Sequence, residues 1–92
     1  MFLYEKGRIF QNDSEGKMQA EITYKEKGNL YYADHTFVDP SLRGGGLAMK
    51  LVDALVELAK ENGKKIVPIC PYVVELFNRM EAKYSFIWHK GE

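Results

Sequence analysis

The sequence predicts an α+β domain with a mostly antiparallel mixed sheet, two main helices and one strand–helix–strand crossover. Three observations indicate this class. Apolar residues alternate with polar ones from Met18 to Tyr24, as in a half-buried strand. Residues 44–62 instead repeat apolar side chains at helical spacing. The short apolar stretch 65–69 follows that helix and predicts a strand parallel to the one before it.

Two short strands are expected near the N-terminus, over 2–4 and 8–11 on either side of a turn. A cluster of polar residues and glycine over 12–16 predicts a second turn. Residues 30–38 are rich in aromatic and β-branched side chains and predict a longer strand. Its alternation breaks over 33–35, which indicates a β-bulge or a division into two strands.

The C-terminal half predicts two helices around the short parallel strand. The first helix is followed by a stop signal at Gly63. Pro71 suits the first turn of the second helix, which is expected over 71–83. Residues 84–89 are predicted to add an edge strand, with Trp88 packed in the core.

Composition excludes several classes of function. The 92 residues are expected to form one domain, 1–92. Thirteen basic and thirteen acidic residues give zero formal net charge, so we expect no nucleic-acid or membrane partner. No apolar run approaches a membrane span of roughly 20 residues, and no secretory signal is visible. A single cysteine and two histidines, widely spaced, predict a cytoplasmic protein without a metal site.

The segment that says most about function is the Gly-rich turn between the long strand and the first helix. Glycines let a backbone approach a ligand closely, and the free N–H groups of a helix start point at it. The helix dipole adds partial positive charge and Arg43 adds a full one. This arrangement is typical of a phosphate or pyrophosphate site. A tight connection without a ligand is the alternative, but it would not need three successive glycines. The segment comprises Arg43, Gly44, Gly45, Gly46, Leu47 and Ala48.

Two common phosphate motifs do not fit this turn. A Walker-type loop needs Gly-Lys-Ser/Thr where Leu47 and Ala48 stand. The dinucleotide pattern G-x-G-x-x-G needs a third glycine at Met49. The spacing that fits is Arg-x-x-Gly-x-Ala, read from Arg43, Gly46 and Ala48. It resembles the pyrophosphate loop of the GNAT superfamily of N-acetyltransferases, which bind acetyl-coenzyme A.

The resemblance covers about residues 30–80. GNAT proteins follow the next strand with Asn-x-x-Ala-x-x-Leu-Tyr, and Leu76 matches this pattern directly while Val73 is a conservative replacement. Cys70 stands at the Asn position. Phe77 stands at the Tyr position, whose hydroxyl often protonates the departing thiolate, and Phe77 has no proton to give.

The chain is similar to a small, minimal branch of the superfamily. That branch carries His-Thr-x-Val before the loop and Pro-x-Cys after the next strand, here residues 35–38 and 68–70. Two helices that usually help to build the acceptor site have no counterpart in residues 1–30. Recognition of the acceptor is therefore less predictable than binding of the coenzyme.

The resemblance implies a role for each matching residue. The backbone of Phe37 and Val38 is expected to pair with the pantetheine arm, and the loop amides are expected to hold the pyrophosphate. The strands are expected to part near Val38 and Ile69 and admit the arm. Tyr72 either supplies the missing hydroxyl or walls the pocket. The implied acetyl-CoA-binding residues are Phe37, Val38, Arg43, Gly44, Gly45, Gly46, Leu47, Ala48, Cys70, Tyr72 and Phe77.

Cys70 and His35 are the catalytic candidates. A thiolate is a good nucleophile, and the helix that starts after Cys70 favours it. Cys70 is therefore an acetyl acceptor, a neighbour of the coenzyme sulfur, or a small side chain that fills a gap. His35 is a base for Cys70, a base for an acceptor amine, or a strand histidine packed against Tyr31.

These expectations describe an N-acetyltransferase that transfers an acetyl group from acetyl-CoA to the amine of a small molecule or protein. One alternative is a non-catalytic module that binds coenzyme A or acyl-CoA. Another is an interaction domain whose loop binds a different phosphate. The sequence indicates neither the acceptor nor the oligomeric state.

Overall fold

The computed structural model describes residues 2–90, in which five strands form one sheet in the order of the chain. The elements are β1 (Leu3–Glu5), β2 (Arg8–Asn12), β3 (Met18–Lys27), β4 (Leu30–Val38), a short 3-10 helix (Pro40–Leu42), α1 (Leu47–Glu61), β5 (Lys65–Pro68), α2 (Pro71–Arg79) and α3 (Glu81–Tyr84). Strands β1 to β4 pair antiparallel, and β5 pairs parallel to β4 after the α1 crossover. The predicted α+β class is confirmed.

The helices cover one face of the sheet. Strand residues on that face are buried together with the apolar face of α1 and α2, because burying apolar surface is the main force that drives folding. The opposite face is mostly polar. Phe10 lies on it and is buried outside the main core, with the Arg8 guanidinium 3.7 Å from its ring centroid. The main core includes Ile9, Ala20, Ile22, Ala33, Val38, Leu51, Val52, Leu55, Val56, Ala59, Val73, Leu76 and Phe77.

The first helix begins later than the sequence predicts. Helix α1 starts at Leu47, and residues 44–46 form the turn before it. Gly44 and Gly46 have φ angles of 91° and 80°. This left-handed conformation cannot continue an α-helix, so the glycines shape the turn.

The predicted edge strand over 84–89 is reduced to a single bridge, and the predicted second helix is divided. Met80, with φ of −120° and ψ of 49°, separates α2 from α3. Tyr84 ends α3 and is buried in the core, and residues 85–87 form a turn before the chain reaches β5. Within residues 84–90, Trp88 forms a single parallel bridge with Ile66.

The predicted irregularity in β4 is a β-bulge at Asp34. Thr23 pairs with His35 and Tyr24 with Ala33, which leaves Asp34 as the extra residue. The Asp34 carboxylate accepts a 2.6 Å hydrogen bond from the Thr23 hydroxyl and lies 3.3 Å from Lys25. These contacts hold the bulge to the neighbouring strand.

None of the helices found between residues 2 and 90 is long and apolar enough to cross a membrane. Over the same described residues, no three His, Cys, Asp or Glu side chains are grouped so that they would hold a metal ion.

Candidate functional site

A cleft opens where β4 and β5 part. Their pairing ends at Ala33 and Pro68. The amides of Ile69 and Cys70 both donate to the Ala33 carbonyl, each at 2.9 Å, and the chain then turns into α2. Strand β4 continues to Val38, so its last residues have no partner strand on this edge. The expected parting of the two strands is present.

The main chain of Thr36 and Val38 faces this open edge. The Asp39 N–H donates to the Gln19 carbonyl on the β3 side at 2.8 Å. Because successive residues of a strand alternate direction, Phe37 also bonds toward β3, while Thr36 and Val38 point away from it. The resemblance implied that the backbone of Phe37 and Val38 would pair with a ligand. The residues whose backbone faces the open edge are instead Thr36 and Val38.

The bulge at Asp34 is what sets this alternation. Ala33 already faces β5, since its carbonyl accepts the bonds from the start of α2. Without an extra residue, the main chain of Thr36 would face β3. The bulge shifts the alternation by one residue, so that Ala33 and Thr36 both face the cleft.

A cavity of about 450 Å³ occupies the opening. Most of the residues that the resemblance implied are in its wall, on the strand edge, the loop and the first turn of α1. Thr36 and Leu42 also line it, and the motif comparison did not identify them. Thr36 stands inside the His-Thr-x-Val pattern, which was the available signal. The wall consists of Thr36, Phe37, Val38, Leu42, Arg43, Gly44, Gly46, Leu47, Ala48 and Tyr72.

The loop presents backbone donors to this cavity. The Lys50 N–H makes the first bond of α1, to the Gly46 carbonyl at 3.0 Å. The amides of the three preceding residues therefore have no partner within the helix. A Cβ atom added at Gly44 or Gly46 would meet nothing within 4 Å, so both glycines face open space. This is the geometry of an anion-binding helix start.

Arg43 connects the loop to the open strand edge. Its Nε donates to the Val38 carbonyl at 3.0 Å. The side chain is exposed and also lines the cavity. A guanidinium has five N–H donors, so the others remain available to an anion in the cavity.

Cys70 lies at the start of α2, behind the cavity wall. It is 8% exposed, and its Sγ is 3.3 Å from the Thr36 Oγ1. Burial is the largest influence on the pKa of the Cys70 thiol and raises it. The Thr36 hydroxyl and the backbone amides of Val73, Tyr72 and Thr36 act in the opposite direction, and together they bring that pKa below its ordinary value.

His35 lies on the opposite face of the sheet from Cys70. Neighbouring strand residues point to opposite faces, so Thr36 contacts Cys70 and His35 does not. The His35 Nε2 is instead 3.5 Å from Glu21 Oε2, and Glu21 Oε1 accepts a 2.7 Å bond from Arg8. The hypothesis that His35 is a base for Cys70 is therefore not supported. Its exposed ring is accessible from the helix-free face.

Tyr72 and Phe77 lie on different sides of α2, one toward the cavity and the other toward the core. Tyr72 lines the cavity, where burial raises the pKa of its hydroxyl. Phe77 is fully buried and stacks on Tyr84, with ring centroids 4.7 Å apart, because its side of α2 faces the core. Phe77 is thus a core residue, and the expectation that it lines the cavity is not met. Gly45 and Cys70 do not line it either.

Comparisons with known proteins agree with this fold. Residues 8–87 match the family model described as GCN5-related N-acetyl-transferase. The solution structure of a GCN5-like protein from Staphylococcus aureus is 31% identical, with a TM-score of 0.81 over 100% of this chain and 90% of that one. An acetyltransferase from Bacillus cereus is 27% identical, with a TM-score of 0.60 over 64% of this chain and 43% of that one.

A ribosomal-protein-alanine N-acetyltransferase from Brucella melitensis biovar Abortus shares the fold. It is 21% identical, with a TM-score of 0.66 over 79% of this chain and 59% of that one. This chain thus spans less than two thirds of the Bacillus and Brucella proteins and nine tenths of the Staphylococcus protein. The family match over residues 8–87 and the similarity to the Staphylococcus protein along the whole chain show that the chain belongs to the GCN5-related N-acetyltransferases.

Proposed function

We propose that this protein is an N-acetyltransferase that uses acetyl-CoA and acetylates an amine of a small molecule or protein in the cytoplasm. Family membership supports acyl transfer. The observation that carries the choice of acetyl-CoA is the cavity itself. It joins the open edge of β4 to the free amides at the start of α1, and so has a hydrogen-bonding strand edge and an anion site in one continuous wall.

The two ends of the cavity suit the two ends of the coenzyme. The pyrophosphate accepts bonds from the amides at the start of α1 and from Arg43. The pantetheine arm pairs with the main chain of Thr36 and Val38, as an added strand would. In this proposal the arm runs from the loop toward Thr36, and the thioester lies at the end of the cleft where Thr36 contacts Cys70.

Positioning supplies most of the catalysis in this proposal. An amide of the open strand edge polarises the thioester carbonyl, and the acceptor amine attacks the carbonyl carbon. The acceptor amine approaches the open edge of β4 from the helix-free face, where the exposed His35 takes its proton. Glu21, which accepts a bond from Arg8, lies beside His35 and orients its ring.

A non-catalytic module that binds coenzyme A or acyl-CoA is the second candidate. The observation that favours it is Phe77, which stands where the family has a tyrosine and is fully buried. It cannot supply a proton to the departing thiolate.

A titration with acetyl-CoA tests the proposal: calorimetry measures binding, and intact mass of the protein detects any acetyl adduct. We expect saturable binding. We also expect release of coenzyme thiol when N-α-acetyl-lysine, spermidine or an alanine-terminated peptide is added. Binding without turnover over a broader amine panel would favour the non-catalytic module. Absence of binding would contradict both candidates and leave a loop that serves another phosphate.

A further inference from the structure

The Thr36 hydroxyl joins Cys70 to the wall of the cavity. Thr36 lines the cavity, whereas Cys70 does not and is only 8% exposed. The two side chains are in hydrogen-bond contact at 3.3 Å, and either atom can be the donor. Thr36 is thus a residue of the cavity wall that is in direct contact with the thiol.

The position of this pair matters because the departing thiolate needs a proton. The residue at the family's tyrosine position, Phe77, is buried and has no hydroxyl. The cavity wall contains two side-chain hydroxyls, those of Thr36 and Tyr72. Thr36 is a weak acid by itself, but it has a thiol directly behind it.

We propose that Thr36 is a catalytic residue that passes a proton from Cys70 to the departing coenzyme thiolate, an inference that rests on the proposed acetyl transfer. Thr36 touches the substrate sulfur. Cys70 acts through Thr36 and forms no bond to the acetyl group.

The step is balanced without a further reactant. The amine nitrogen forms a bond to the acetyl carbon, the carbon–sulfur bond breaks, and its electron pair stays on the coenzyme sulfur. The Thr36 hydroxyl proton moves to that sulfur, and Thr36 Oγ1 takes the Cys70 proton. The proton lost by the acceptor amine goes to solvent through His35. The Cys70 thiolate recovers a proton through Thr36 when the product leaves and water enters the cavity.

Two features suit Cys70 to this role. The amides at the start of α2 and the Thr36 hydroxyl stabilise its thiolate and hold the pKa of the thiol below the ordinary value, although burial opposes them. A thiol with a lowered pKa is the better proton donor. Cys70 is also nearly buried and does not line the cavity, which hinders direct attack of its sulfur on a thioester.

The test compares Thr36→Val with Thr36→Ser. Valine has the same shape without the hydroxyl, and serine keeps the hydroxyl. Hydroxylamine serves as the acceptor because it is small and largely unprotonated at neutral pH, so no acceptor site is needed. The rate of thiol release from saturating acetyl-CoA is measured, and the rate without protein is subtracted.

We expect Thr36→Val to release thiol roughly 10- to 100-fold more slowly than the wild type, at the low end of general-acid effects because a thiolate leaves readily. Thr36→Ser should stay within about threefold, and both variants should bind coenzyme A as the wild type does. The rate of thiol release should fall as much in Cys70→Ala as in Thr36→Val. The double variant should lose no more than either single one, because both residues belong to one proton path.

The outcomes separate the two proposals. Thr36→Val that binds acetyl-CoA and releases thiol at the wild-type rate overturns the relay and leaves the acetyltransferase in place. An acetyl adduct on Cys70 in intact mass also overturns it, because Cys70 would then be a nucleophile. Wild-type protein that does not bind acetyl-CoA overturns both. If Thr36→Val does not fold, Cys70→Ala decides, and a wild-type rate in that variant contradicts the relay.

Discussion

Residues that are close in sequence near the cleft differ in whether they line the cavity, lie behind its wall or belong to the core. Cys70 lies within hydrogen-bond distance of a cavity-lining hydroxyl but is itself almost covered. Phe77, seven positions later, belongs to the core. His35 and Thr36 are neighbours in sequence and serve opposite faces of the sheet. Residue types at motif spacing therefore do not by themselves define one site.

Alkylation of Cys70 by iodoacetamide is the prediction at this scale. The thiol lies behind the proposed pantetheine site, so saturating coenzyme A should slow the reaction at least tenfold. Its lowered pKa favours the reactive thiolate, while burial limits access. The rate is followed by intact mass with and without coenzyme A, and Cys70→Ser is the blank. Equal rates in the two conditions would place Cys70 outside the coenzyme site.

The cavity is surrounded by the ends of helices and strands. The start of α1, the end of β4 and the start of α2 come together because β5 is short and its pairing stops at Pro68. The bulge in β4 then directs the main chain of Thr36 toward the opening. Helix starts and strand ends carry the unpaired backbone groups that a ligand can use.

The loop prediction concerns Gly46 and its neighbour Gly45. Gly46 has φ of 80°, so Gly46→Val forces a β-branched residue into the left-handed region and also fills the space before α1. We expect acetyl-CoA binding to be lost in calorimetry while the far-ultraviolet circular dichroism persists. Gly45→Ala is the matched control, because its Cβ would only approach the Leu42 carbonyl at 3.7 Å. Undiminished affinity in Gly46→Val would exclude the loop as the pyrophosphate site.

The bulge prediction concerns acid stability. The hydrogen bond from Thr23 is the largest influence on the pKa of Asp34 and lowers it, burial opposes it, and Lys25 adds to the lowering. Since the folded pKa lies below the unfolded one, this carboxylate stabilises the fold above its unfolded pKa, near the ordinary 3.8. That stabilisation disappears as pH falls through the folded pKa.

Asp34→Asn should therefore lower the free energy of unfolding by about 1 kcal/mol at neutral pH. The difference from the wild type should shrink as the pH falls below 3.8. Urea denaturation across this pH range measures it. Lys25→Met is the control for the exposed ion pair and should change stability by only about 0.5 kcal/mol. A difference between Asp34→Asn and wild type that is constant with pH would contradict the assigned role of the carboxylate.

The whole molecule is a two-layer arrangement with one bare sheet face. Between residues 2 and 90, α1, α2 and α3 lie over the same side, where a single core joins the sheet to α1, α2 and the buried Tyr84. The cavity opens at the edge of this arrangement, and the face that carries Glu21 and His35 stays uncovered. A compact core on one side thus leaves both the cleft and the bare face accessible.

Phe77→Tyr tests the assignment of Phe77 to that core. The ring is fully buried between Tyr84 and Trp88, so a new hydroxyl there would lack a partner or force repacking. We expect the free energy of unfolding to fall by about 1–3 kcal/mol. Turnover should not rise above that of the wild type. Tyr72→Phe is the matched control and should change stability much less. Unchanged stability with faster turnover in Phe77→Tyr would instead place the ring at the coenzyme.

The sequence by itself determined the fold class, the strand–helix–strand crossover, the Gly-rich turn and the irregularity in β4, which it predicted as a bulge or a division into two strands. These features are local, because hydrophobic periodicity and turn chemistry act over a few residues. The first residue of α1 escaped prediction because the left-handed φ at Gly46 is a property of the folded turn. The C-terminal segment was predicted only in part, because Tyr84 ends a helix and stacks on Phe77 while Trp88 alone pairs with β5.

Only the tertiary structure decided which side chains share the cleft. Thr36 entered the site because the bulge and the parting of β5 put it beside Cys70, 34 residues away in sequence. Phe77 left the site because the same helix turns that residue toward the core. Such contacts depend on how elements pack against one another across long sequence separations, and no local pattern records that packing.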